Sequence, residues 1–193
     1  MDFQKQVYEN EKFENILCVQ QNLKNKEFSD CIFTKCDFSK SDLTGSSFNN
    51  CFFKECNLSN IIVTDCDLEE VKFEKCKIMG VVFTTVNTLL LSFQFLKCNI
   101  ELCYFNDIEI QNTDFVECII RETDFVNANL TGANFSNSDL YASKFQNSNL
   151  SKANFIGAKN YFINPTQNIL KKAKFALPEV LSLLLPFDIK IEC

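Results

Sequence analysis

The sequence predicts an all-β solenoid, a polygonal coil with five residues to a side, and three observations predict it. The first is a period. Counting in fives, the stops run Phe28, Phe33, Phe38, Leu43, Phe48, Phe53, Leu58, Val63, Leu68, Phe73, Ile78, Phe83. A second run, in a shifted frame, goes Phe95, Ile100, Phe105, Ile110, Phe115, Ile120, Phe125, Leu130, Phe135, Leu140, Phe145, Leu150, Phe155. A helix repeats at 3.6 residues and a flat strand at 2.0, so this period marks a repeat architecture. The second observation is a small residue two positions before most stops, such as Cys31, Cys36, Ser41, Ser46, Cys98, Cys118, Ala128 and Ala133. Each unit then reads small–polar–large–polar–polar, with two of its five positions facing a narrow core. The third is the strict alternation of Phe with Ile or Leu in the second run. A coil of four sides and twenty residues stacks Phe95, Phe115, Phe135 and Phe155 in one column, with Phe105, Phe125 and Phe145 opposite.

The elements follow in order. Residues 1–12 are polar and read as a lead-in, without the apolar stretch of a secretory signal. Residues 13–160 read as the coil, about thirty units, or roughly 36 Å of rod at strand spacing. Between Phe83 and Phe95 the register breaks, and residues 84–94 must absorb two extra residues. A bulge that re-aims the chain is the simplest reading. A small protrusion exposing Leu89, Leu90 or Leu91 is the functional one. In the tail, 161–193, the five-residue rule lapses after Ala158 and returns once at Ala173/Phe175. Pro178 stands at a favoured first-turn position of a helix, and Pro186 stops it. Residues 187–192 alternate like a short strand. Val180, Leu181, Leu183, Leu184 and Leu185 are too apolar for a solvated helix, so the tail caps the coil. A cap this apolar also predicts a two-fold contact through Val180, Leu181, Leu184, Leu185 and Phe187.

The triplets Cys36-Asp37-Phe38, Ser41-Asp42-Leu43, Ala128-Asn129-Leu130 and Ala133-Asn134-Phe135 resemble the A(D/N)Lxx unit of the pentapeptide-repeat family. The resemblance covers 13–160. It implies a right-handed quadrilateral β-helix with four units per coil and, with the tail, a short C-terminal helical cap. The tail after the repeats is similar to that of the Qnr-type quinolone-resistance proteins. That likeness implies a homodimer joined end to end, a DNA mimic, and DNA gyrase or topoisomerase IV as the protein partner. The chain departs from the Qnr pattern in lacking long projecting loops, which brings it closer to the family's loop-free gyrase inhibitors.

Little here supports enzyme chemistry. The chain has no His, so the commonest general base and metal ligand is missing. No Gly-rich phosphate loop and no G-x-S-x-G elbow occurs. No cofactor and no metal is expected. Nine of the eleven cysteines occupy the small slot. There they would stack about 4.8 Å apart, beyond the reach of a disulfide, so they read as reduced packing residues, with Cys193 open to oxidation. That suits a cytoplasmic protein. No run approaches the length of a membrane span, and no membrane partner is expected.

The net charge of −6 is uneven. Glu101, Asp107, Glu109, Asp114, Glu117, Glu122 and Asp124 face only Arg121 in their window, and the rest of the chain balances. On a twenty-residue coil this window forms an acidic belt, which suits a basic partner surface and disfavours direct nucleic-acid binding. Two function classes stay open: a DNA-mimicking partner of type II topoisomerases, and an interaction scaffold for another protein.

Overall fold

The computed structural model describes residues 3–190. The chain winds as a right-handed four-sided β-helix, with each five-residue unit forming one side. We label the sides A to D in chain order and number the coils by the Phe of side B. Three parallel sheets run along the rod. Side A stacks Val7–Glu9, Glu27–Ser29, Ser47–Asn49 and Asp67–Glu69. Side B stacks six strands from Lys12–Glu14 to Phe115–Val116. Side C stacks Lys77–Met79, Asn99–Glu101 and Ile119–Arg121. Beyond these, single parallel bridges carry the same register up to Asn154↔Lys174.

The coil starts and ends further out than residues 13 and 160. Val7–Glu9 pairs in register with Glu27–Ser29, because Tyr8 supplies a large inward residue one unit before Phe13. At the other end Phe175 stacks on Phe155 at 5.0 Å. Among the described residues of the tail the one helical segment is a 3-10 helix, Glu179–Phe187, which contains Pro186 instead of ending before it. A short 3-10 turn needs only i→i+3 bonds, such as Leu181 N–H to Pro178 O. The expected strand over 187–192 does not form up to Lys190, and its remainder, like Cys193, lies outside the described residues.

Twenty-residue spacing puts like on like. Side B carries one column of rings: Phe13, Phe33, Phe53, Phe73, Phe95, Phe115, Phe135, Phe155 and Phe175. Neighbouring centroids along it are 4.6 to 5.3 Å apart. Side D carries a second, Phe83, Phe105, Phe125 and Phe145. In the first coils the partner column lies instead on side A, as Tyr8, Phe28 and Phe48. Cys18 is the one small residue in a large slot, and Phe3 makes good the volume. Its ring contacts those of Tyr8, Phe13, Phe28 and Phe38, plugging the open end of the core.

The small slot has a second job. Its thiols and hydroxyls donate to the carbonyl of a large residue one coil below. Cys36 Sγ reaches Phe13 O at 3.5 Å, Cys56 reaches Phe33 at 3.4 Å, and Ser138 Oγ reaches Phe115 at 2.6 Å. Cys, Ser and Thr interchange there because each is a small donor. The ten cysteines among the described residues are buried thiols. Burial pushes Cys51, Cys66 and Cys103 up to about 12. The hydrogen bond to the next thiol, and then burial, raise Cys36, Cys76 and Cys118.

Corners need a left-handed residue every fifth position. Asn25, Asp30, Lys35, Lys40 and their successors adopt φ near +55°. Asn and Asp take this conformation most easily among non-glycines. Gly132, at φ +74°, has a further reason: a Cβ there would collide with Asn112 Oδ1 from the coil below.

Two outcomes are expected. Phe115→Ala removes one ring from the middle of the side-B column and should cost about 3–5 kcal/mol in chemical unfolding. Thermal unfolding identical to the parent's would contradict the packing described. Thiol titration at pH 8 should find little reactivity in native protein and nearly full reactivity in denaturant, since the reactive form is the thiolate.

Candidate interaction surface

The seven acids of the expected belt do encircle the rod, but they do not act as one patch. Glu109 lies on side A and Asp107 at the corner leading into it. Asp114 lies on side B, Glu101 on side C and Asp124 on side D, with Glu117 and Glu122 at the corners on either side of side C. Two are neutralised locally: Lys97 Nζ sits 3.5 Å from Glu117, and Lys144 Nζ sits 3.0 Å from Asp124. Arg121 pairs with Asp139 instead. Burial alone would raise Asp139, but hydrogen bonds from Asn160 and Arg121 outweigh it and hold the carboxyl below its usual range.

Summing charge along the columns gives a different picture. Side A and its two corners carry Glu27, Asp30, Asp65, Asp67, Glu69, Glu70, Asp107 and Glu109 over coils 2 to 6. From Glu27 to Ser151, no Lys or Arg stands on that side. Five of these carboxylates are held by amides from adjacent coils. Asn50 donates to Asp30 at 2.6 Å, Asn49 to Glu69 at 2.6 Å, Asn87 to Asp67 at 2.7 Å, Asn127 to Asp107 at 2.8 Å and Asn129 to Glu109 at 2.7 Å. An amide fixes a carboxylate in place without cancelling its charge. Elsewhere Lys24 takes Asp42, and the pairs named above involve sides B, C and D. None of the ion pairs among the described residues involves the eight acids of side A. Eight charges over about four coil steps is one per roughly 2.4 Å, between the 3.4 Å of one DNA strand and the 1.7 Å of the duplex.

The register break falls on this same side. Asn87 keeps the ladder, its N–H donating to Cys66 O, and Ser92 rejoins it through Leu68 O. The two extra residues project between them. Leu89 is 82% exposed and Leu90 63%, while Leu91 turns in and packs on the core. Phe93 fills the small slot beside them. A shallow groove at the foot of the loop is lined by Glu70, Lys72, Leu91, Gln94, Gln111 and Asn112. Two leucines thus stand in the middle of the acidic side.

In the tail, Val180 and Leu184 are half-buried, and Leu183 packs on the core. Leu181, Leu185 and Phe187 are exposed. Of the five residues expected at a two-fold contact, these three are free to meet a partner. No helix among the described residues is long and apolar enough to cross a membrane.

The family model for pentapeptide repeat regions matches residues 26–94 and 87–155. The chain is a pentapeptide-repeat protein. No curated protein matches its sequence. Among solved structures it is similar to a trypsin-treated form of QnrB1, a plasmid-mediated fluoroquinolone resistance protein. The TM-score is 0.81 at 13% identity, over 97% of this chain and 99% of that one. Against full-length QnrB1 the TM-score is 0.51 at 14% identity, over 95% and 100%. HetL, a pentapeptide-repeat protein involved in heterocyst differentiation regulation in the cyanobacterium Nostoc, gives 0.45 at 18% identity, over 84% and 88%. At these identities the likeness is one of fold.

Of the residues on side A, the sequence pointed to Asp107, Glu109 and the loop leucines as candidates but not to Glu27, Asp30, Asp65, Asp67, Glu69 and Glu70. The signal that finds them is charge summed at twenty-residue intervals, or twenty-two across the break.

Proposed function

We propose that this pentapeptide-repeat protein is a non-enzymatic binding rod whose side A occupies the basic DNA-binding surface of a type II topoisomerase. The observation that carries the reading is the column of eight acids, five of them amide-held, with no Lys or Arg beside them from Glu27 to Ser151, on a rod of the QnrB1 fold. Such a column offers a basic groove an array of fixed anions at near-DNA spacing. Leu89 and Leu90 add what DNA lacks, an apolar contact that favours a partner with a pocket at that point. Through Leu181, Leu185 and Phe187, two rods would join end to end. A scaffold for a different basic protein is the second reading, and it rests on the same column.

The test is binding to purified gyrase, with supercoiling measured with and without a quinolone. Reversing Asp67, Glu70 and Glu109 to Lys should weaken gyrase binding about tenfold or more, and parent binding should fall as salt rises. Reversing Glu55, Glu101 and Glu122, on the other sides, should do much less. Equal binding by both triple variants would remove side A as the contact. Absence of any gyrase binding at low salt would leave the scaffold reading in its place. For the joint, Leu185→Lys should give a folded monomer in sedimentation, because a lysine is costly to bury unpaired. A parent that is already monomeric at micromolar concentration would reduce the tail to a cap.

A further inference from the structure

The two ends of the rod differ in charge. Residues 1–143 hold 22 acids against 12 bases, whereas 144–193 hold seven lysines against three acids. On sides A and B the change is complete. From coil 7 to the last coil these two sides carry no acid at all. They present Asn127, Asn129, Thr131, Asn134, Asn149 and Asn154, and then four exposed lysines. Lys152 and Lys172 are successive left-handed residues at the corner between the two sides, both at φ +60°. Lys152 N–H donates to Lys171 O at 2.8 Å, and Asn154 bridges Lys174 in the parallel ladder. The four ammonium-bearing residues therefore sit on two adjacent coils, about 4.8 Å apart along the rod. Among the described residues none of the four takes part in an ion pair, whereas Lys144, one side earlier, is tied to Asp124.

We infer that sides A and B of the last three coils form a second binding surface, one for the phosphodiester backbone of duplex DNA, centred on Lys152, Lys171, Lys172 and Lys174. Lysines supply the charge, and Asn, Ser and Thr are the usual neutral partners of phosphate oxygens. The aromatic rings of these sides, Phe135, Phe155 and Phe175, pack inward on the core, so none is presented to stack an unpaired base, which favours a duplex over a single strand. The exposed apolar residues here are three, Ile156 and Leu177 on side B and Ile169 on side A, divided between the two sides of the lysine corner. They form no continuous face to enter a bilayer. The acids of coils 2 to 6 repel DNA from the rest of side A, so the contact is confined to one end. An average charge of −6 conceals this.

The surface is independent of the topoisomerase reading, and its test contains no topoisomerase. Anisotropy of a labelled 20-base-pair duplex is measured with the full chain from 50 to 200 mM salt. Four phosphate contacts give a log–log slope of about −3.6, a loss of about 150-fold over that range. Lys171→Gln with Lys172→Gln should bring the slope to about half. All four lysines to Gln should abolish binding, with the unfolding temperature unchanged because the residues are exposed. No binding at 50 mM salt, or a quadruple variant that binds like the parent, would overturn the inference. So would preference for a single-stranded RNA of equal phosphate number, or capture by anionic phosphatidylglycerol vesicles without capture by duplex.

Discussion

Every feature of this rod depends on the registry of backbone hydrogen bonds between successive coils. Phe115 N–H finds Asn134 O at 2.7 Å, and Asp139 N–H finds Cys118 O at 2.9 Å, and the pattern repeats along the chain. Because the offset is twenty residues, or twenty-two across the break, each side chain sits on its counterpart in the coil below. Phe rings stack because their backbones are pinned at strand spacing. Where Cys or Ser fills the small slot it donates to a carbonyl of the coil below that lies within reach, while Ala128 and Ala133 fill it by size alone. The corner glycine at 132, at positive φ, leaves room for the Asn112 side chain beneath it. A packed core of this kind tolerates no slip, so the two extra residues near Leu89 are expelled outward while Asn87 and Ser92 hold the ladder on either side.

The same registry organises the surface. A column of side chains along one side behaves as one object, since its members are held at fixed spacing by the backbone. On side A the columns are acidic, and amides tie five of their eight carboxylates. On the other sides they mix Lys with Asp and Glu, and four close ion pairs form there. Exposed ion pairs add little to stability, so their main consequence is electrostatic. They cancel part of the charge of sides B, C and D, where Lys and Arg stand among the remaining acids, and leave side A as the one that a charged partner senses at a distance. Toward the C-terminal end the columns change to Asn and then Lys, which gives one rod two surfaces of opposite sign.

Much of the fold was legible because five-residue periodicity is a local property. The Phe columns of the second run and the small slot could be read from spacing, and the helical cap from Pro178 and the apolar run that follows it. The plug at the first coil could not. Phe3 falls in the five-residue frame, but its ring fills the space left by Cys18, and only the packed end of the core makes that necessary. The switch of the second aromatic column from side A to side D was equally hidden, because it depends on which coil position the break displaces. The extent of the 3-10 helix through Pro186 depends on the last coil it covers.

The acidic surface shows where such reading stops. A window of consecutive residues, 101–124, collects charges that the coil then distributes over four sides. Residues far apart in sequence, Asp30, Asp67 and Glu109, are brought onto one. By itself the sequence determined the period, the inward positions, the four-sided coil and the absence of histidine chemistry, since each follows from which residue recurs at which interval. Only the tertiary structure decided which acids share a side, which of them Lys97 and Lys144 neutralise, that Leu89 and Leu90 project while Leu91 turns in, and that four lysines gather at one corner. Those outcomes turn on distances between coils, and such distances exist only once the backbone hydrogen bonds have set one coil on the next.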